Sequence, residues 1–203
     1  MKHKWIELMN SLGIDENIQE FDKISSLYGE EHRSYHNLAH IEDCLLKSEL
    51  CPLSRDIDIL SCAIWFHDVI YDPQKVDNEQ ESALVAEKFL KSQSINTNFI
   101  SRVGEVIMST LHRVPPKNDV EAYMMDIDVS ILGAPEVQYS AYCHNIRQEY
   151  KSVPWTVYVE NRIKILKMFL KRKDIYFTPN FNNRLGSNAR INIEKEINIL
   201  END

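Results

Sequence analysis

Apolar residues recur three and four positions apart along nearly the whole chain, and runs alternating with period two are few. The pattern predicts an all-α protein. Trp5, Leu8, Met9 and Leu12 form one helical stripe ended by Gly13; Ile14, Ile18, Phe21 and Tyr28 form a second ended by Gly29. After a polar turn around Arg33 and Ser34, Asn37 is placed to cap a helix carrying Leu38, Ile41, Leu45 and Leu46, which stops near Cys51 and Pro52. From about Ser54 to Val69 the apolar stripe is Ile57, Leu60, Ala63, Ile64 and His67.

Pro73 opens a loop, after which Asp77 or Asn78 can cap a helix through Leu90, with Gln80 or Glu81 as its capping-box partner. Thr97 to Leu111 carries Phe99, Val103, Val106 and Ile107 at helical spacing, and Pro115 and Pro116 make 112–118 a loop. Asp119 is the expected cap of the next helix, where Val120, Tyr123, Met124, Ile127 and Ile131 share a face until Gly133. Pro135 to Lys151, Trp155 to Lys171 and Asn182 to Leu200 follow, for a bundle of about nine helices. No internal repeat or low-complexity segment interrupts it, so the expectation is a single domain over 1–203.

Composition narrows the function classes. With 203 residues, 43% hydrophobic and 27% charged, the chain is long and apolar enough to build a core without disulfide or structural-metal support. The 23 Lys and Arg against 31 Asp and Glu give a net charge of −8 with no basic stripe, so duplex nucleic acid is not an expected partner. A small phosphorylated ligand stays open, because a bound dication would dominate the local field. No stretch reaches the roughly 18 apolar residues needed to span a membrane. The opening MKHKWIELMN lacks a signal-peptide apolar run, and Cys44, Cys51, Cys62 and Cys143 form no C-x-x-C pair. The expected setting is therefore reduced and cytoplasmic, with each cysteine a small buried hydrophobe. Lys171, Arg172 and Lys173 fall at a helix C-terminus, where they offset its dipole. Oligomeric state is left open.

Imidazoles and carboxylates gather in four segments: His36 and His40 in YHNLAH, His67-Asp68 in WFHDVIYD, His112 in STLHR, and Asp126 and Asp128 in MMDIDVSILG. Nitrogen and carboxylate-oxygen donors suit divalent cations such as Mn, Mg, Fe, Ni, Co or Zn. A His-Asp doublet by itself carries little, since chance alone gives roughly 0.45 such doublets in a chain of this composition. Order and context carry more.

The order His40, His67-Asp68, Asp128 resembles the signature of the HD-domain superfamily of metal-dependent phosphohydrolases, in which a His, a His-Asp doublet and a distal Asp come from different helices of an all-helical bundle. The likeness runs from about Tyr35 to Gly133. YHNLAHIED is also similar to the YHNxxHAxD motif of cyclic-nucleotide phosphodiesterases, where the first His is a general acid and the second a metal ligand. VIYDPQKVDNE does not continue that match. HDVIYDP, the following DNE and DIDVSILG are more similar to a group of uncharacterised bacterial HD proteins, which implies a fold and a metal site without a substrate.

The resemblance thus implies an HD-type domain with a metal-binding core at about 35–133 and C-terminal helices at 135–200 packing on it. It implies a divalent ion on His40, His67, Asp68 and Asp128 and hydrolysis of a phosphoester in a small phosphorylated substrate, a nucleotide being one candidate. Two alternatives use the same residues: an HD-fold iron oxygenase, and a non-catalytic module that binds metal or nucleotide.

Helix geometry also bears on the distal carboxylate. At about 100° per residue, Asp128 falls about 80° from the centre of its helix's apolar face and Asp126 about 120° on the other side, which favours Asp128 and leaves Asp126 as the alternative. His36 takes the general-acid role that the resemblance implies. Asp72, one turn beyond Asp68, and Glu79 are candidates to orient or deprotonate water, whereas helix capping explains Asp77 and Asn78. His112 could reach a second metal or a phosphate, or lie on the surface. Arg147 and Lys151, one turn apart, could meet a phosphate or form a solvated face. His3, His32 and His144 are expected to be structural or exposed.

Overall fold

The computed structural model describes residues 1–202 and contains ten α-helices, with no strand among those residues. They are α1 (Lys2–Ser11), α2 (Ile18–Tyr28), α3 (Leu38–Ser48), α4 (Ile57–Phe66), α5 (Asn78–Ser92), α6 (Thr97–Ser109), α7 (Asp119–Asp128), α8 (Glu136–Glu149), α9 (Trp155–Leu170) and α10 (Pro179–Asn202), with a 3-10 turn at Val129–Gly133. Contacts divide the chain into two compact units, Met1–Ile127 and Asp128–Asp203.

In the first unit α4 is the hub, with α1, α3, α5 and α6 packed on it. Its sequence IDILSCAIWF buries Ile59, Leu60, Cys62, Ala63, Ile64, Trp65 and Phe66. A helix that is apolar all round must be enclosed by its neighbours, so the single stripe expected from the sequence understates this one. Trp5 of α1 meets Trp65 edge-on with ring centroids 5.4 Å apart, and its indole N–H donates to the Glu16 carbonyl at 2.9 Å.

Helix ends differ from the expectation for identifiable reasons. α2 begins at Ile18 because Asn17 takes a left-handed conformation, φ 43°, and its side chain accepts from the Glu20 N–H. Ile14 is buried in the preceding loop instead. α4 is shorter at both ends than 54–69, so His67 lies just past its last helical residue. The cap of α7 comes one residue earlier than Asp119: Asn118 accepts from the Glu121 N–H at 3.0 Å, while the Glu121 carboxylate accepts from the Lys117 N–H at 2.8 Å. Asn37 caps α3 as expected, accepting from the Ala39 N–H at 2.9 Å.

In the second unit, the segment expected to continue helically to Gly133 tightens into the 3-10 turn at Val129. Gly133 is there for close approach: a Cβ would lie 2.6 Å from the Leu185 Cβ and 2.7 Å from the Leu185 carbonyl oxygen of α10. α10 starts three residues earlier than expected, with Pro179 at its first position and the Thr178 hydroxyl accepting from the Phe181 N–H. Arg162 of α9 and Glu196 of α10 form a buried pair at 2.7 and 3.1 Å, and the Tyr139 hydroxyl donates to the same carboxylate. Among the described residues no helix is long and apolar enough to cross a membrane.

Candidate metal centre

Asn37 starts α3 so that His40 falls in its first turn, facing inward with Ile41, Cys44 and Leu45. The end of α4 delivers His67 and Asp68, and Asp128 is the last residue of α7. One ligand atom from each of His40, His67, Asp68 and Asp128 lies within 4.8 Å of all the others. The Nε2 atoms of the two histidines are 3.3 Å apart, and an Asp68 carboxylate oxygen is 3.1 Å from the His67 Nε2. Both histidines are buried and both aspartates half-buried.

The backbone at the end of α4 explains how His67 is aimed. A helix C-terminus leaves its last carbonyls without intrahelical donors. Here the Ile64 carbonyl accepts from the His67 Nδ1 at 2.9 Å, the Trp65 carbonyl from the Tyr28 hydroxyl at 3.1 Å, and the Phe66 carbonyl from the Val69 N–H at 3.1 Å. With Nδ1 donating, a neutral His67 carries its lone pair on Nε2, the atom that faces the cluster. Two imidazole nitrogens and two carboxylates thus converge in a largely buried space, a donor set that fits a divalent cation held by nitrogen and oxygen.

The turn after Asp68 is held from both sides. The Ser82 hydroxyl accepts from the Ile70 N–H at 3.1 Å and donates to the Ile70 carbonyl at 3.2 Å. The Asn78 side chain makes the same kind of double bond to the Asp72 backbone. Neither Asp77 nor Asn78 uses its side chain as the α5 cap, contrary to the sequence expectation. From the other side the Arg33 guanidinium donates to the carbonyls of Asp68, Val69 and His36.

His36 is half-buried, its ring stacked on Tyr71 with centroids 4.2 Å apart and 6.0 Å from the His40 ring. Asp72 accepts from the Gln74 N–H through Oδ1, a turn-forming contact. Glu79 lies half-buried in the first turn of α5. His112 is half-buried in a left-handed conformation, φ 52°, and outside the four-residue group. Asp126 is also outside that group although it is more buried than Asp128, at 1% exposure. α7 buries seven of its ten residues, including Asp126, so distance from one apolar face does not decide which carboxylate is buried.

In the second unit, Arg147 donates to the Tyr150 and Val153 carbonyls and packs over the Trp155 and Tyr158 rings, finishing α8; Lys151 is exposed. His3, His32 and His144 are exposed, and the His32 Nε2 donates to the Tyr71 carbonyl. All four cysteines are thiols; burial pushes the Cys51 and Cys143 thiols up to about 12 and raises the Cys62 thiol as well.

Nothing in the sequence marks the bracing roles of Arg33, Tyr28, Asn78 and Ser82. Each acts on backbone groups, which leave no mark in residue spacing. No family model matches the chain, and no curated protein or solved structure matches it.

Proposed function

We propose that the chain is a metal-dependent phosphohydrolase of the HD type, acting on a phosphoester of a small substrate, with a nucleotide as one candidate. The observation that carries this reading is the convergence of His40, His67, Asp68 and Asp128 within 4.8 Å, in the chain order that the HD resemblance implies. A divalent ion held by these four would supply a more acidic water and charge neutralisation at a phosphoryl oxygen.

The residues around the centre have separate tasks in this proposal. His67, fixed by its bond to the Ile64 carbonyl, presents Nε2 without a tautomer change. His36, supported by the Tyr71 ring, holds a proton for the leaving oxygen. Glu79 is the candidate to orient water. Asp72 commits one carboxylate oxygen to its own turn, which favours a structural part for it.

The test is elemental analysis of the purified protein, with a panel of phosphomonoesters and phosphodiesters assayed under Mn, Mg, Ni and Co. The expected result is about one divalent ion per chain or more and metal-stimulated release of phosphate or alcohol, lost in His67→Ala and Asp68→Ala. A chain that takes up no added metal at neutral pH, or variants that hydrolyse as well as the wild type, would overturn it. Bound iron with dioxygen consumption and no phosphoester cleavage would favour the oxygenase alternative.

A further inference from the structure

Arg33 precedes the YHNLAH segment in a turn whose polar sequence gives no hint of burial, yet only 6% of the residue is exposed. Its guanidinium lies over the Tyr28 ring at 5.2 Å and the Tyr71 ring at 5.6 Å. Nη1 donates to the Asp68 carbonyl at 2.6 Å and the His36 carbonyl at 3.2 Å, Nη2 to the Val69 carbonyl at 3.1 Å, and Nε to a Glu30 carboxylate oxygen at 2.9 Å. One planar group therefore ties the stretch leading into His40 to the stretch containing Asp68.

We infer that Arg33 is a positioning residue of the candidate metal centre, setting the separation of the His40 and Asp68 segments by bridging their backbones. The inference rests on reading the four-residue cluster as a metal site. Its chemistry favours arginine: three carbonyls and a carboxylate in different directions suit a rigid fork of five N–H donors, whereas a lysine offers one flexible point charge. The cation also lies beside the C-terminal end of α4, where the last carbonyls concentrate negative potential. Glu30 compensates part of the buried charge from the solvent side.

Two physical roles for Arg33 differ in sign. As a nearby positive charge it would repel a bound dication, so removing it would tighten metal binding. As a brace it holds Asp68 and the His36 lead-in in place, so removing it would weaken binding. The fork geometry makes the brace dominant, and outer partners of metal ligands typically affect affinity by about 10- to 100-fold.

The experiment measures Mn²⁺ affinity and the visible spectrum of the Co²⁺-loaded full-length protein for the wild type, Arg33→Lys and Arg33→Met. Met9→Ala in α1, a buried residue, controls for general destabilisation, with helicity and thermal midpoint recorded for each. The expected result is Mn²⁺ binding weakened about 10- to 100-fold in both Arg33 variants and an altered Co²⁺ spectrum, while Met9→Ala binds as the wild type does. Wild-type affinity with an unchanged spectrum in Arg33→Lys overturns the inference, as does tighter binding in Arg33→Met or an equal loss in Met9→Ala. A wild-type protein that binds neither ion overturns the metal-site reading and this inference together, which separates that failure from a failure of Arg33 alone.

Discussion

The Asn78 side chain lies against the backbone of Asp72 like a short piece of strand: its Oδ1 accepts from the Asp72 N–H at 3.0 Å and its Nδ2 donates to the Asp72 carbonyl at 2.9 Å. The first turn of α5 thereby takes the place of a second backbone for the loop that leaves the His67-Asp68 pair. The amide carries an acceptor and a donor side by side, so one uncharged side chain satisfies both backbone groups at once. Asn78→Ala should cost about 1–3 kcal/mol, because it leaves two part-buried backbone groups without their partners. Denaturant titration reads the cost. Amide exchange locates it: faster exchange at Ile70 and Asp72 with α6 unchanged is the expected pattern, and uniform acceleration would contradict it.

Asp126 and Asp128 make a second test. Asp128 contributes to the four-ligand cluster and Asp126 does not, although Asp126 is the more deeply buried. Asp128→Asn should lower Mn²⁺ affinity by at least 10-fold with a stability change below about 1 kcal/mol, because a half-buried carboxylate beside acceptor-rich groups is replaced by a neutral amide. Asp126→Asn should keep the metal and change mainly the melting temperature. Equal loss of metal in both variants would mean that the cluster is arranged differently.

The two aspartates show how the site was legible. The order that resembles the HD signature singles out His40, His67, Asp68 and Asp128, helix periodicity puts each at a helix end or face, and the fold brings the four together. Periodicity favours Asp128 as the carboxylate nearer the core, yet Asp126 is the more deeply buried because α7 is enclosed on most sides. What spacing could not show is the support: Arg33, Tyr28, Asn78 and Ser82 all bond to main-chain atoms, and any residue has those. The caps were partly readable. Asn118-x-x-Glu121 and Thr178-Pro179 are ordinary start signals hidden by stronger apparent ones beside them, Asp119 and Asn182.

The Arg162–Glu196 pair gives a prediction for the second unit. Both side chains are 8% exposed, and the carboxylate also accepts from Tyr139, so neither charge has water to fall back on. Burial together with the Glu196 charge raises the Tyr139 hydroxyl far above its usual range, keeping it a neutral donor. Removing one partner is costly, since it strands the other: Arg162→Met should destabilise by about 3–5 kcal/mol. The double replacement Arg162→Met with Glu196→Leu should recover most of that loss. Urea unfolding of the single and double variants measures both, and a double variant no better than the single would show that the tyrosine contacts dominate.

Asp56 and Arg102 connect the start of α4 to α6 through a 2.7 Å bond, and the Arg102 guanidinium holds the Asp56 carboxyl below its ordinary value of 3.8. A carboxyl whose folded value is depressed contributes stability that is fully present above the ordinary value and fades as the pH falls through the lower folded one. The pair is about one-third exposed, so solvent screens it and its worth is about 0.2–1 kcal/mol. Asp56→Asn should therefore be less stable than the wild type by that amount at pH 7 and 0.1 M salt. The difference should hold down to about pH 5, shrink from about pH 4 downward, and narrow at 1 M salt. Paired denaturation curves across that range check the sign: a gap that widened toward low pH would show that Asp56 is destabilising when charged, and the bond to Arg102 would then be a consequence of helix packing with no stabilising part of its own.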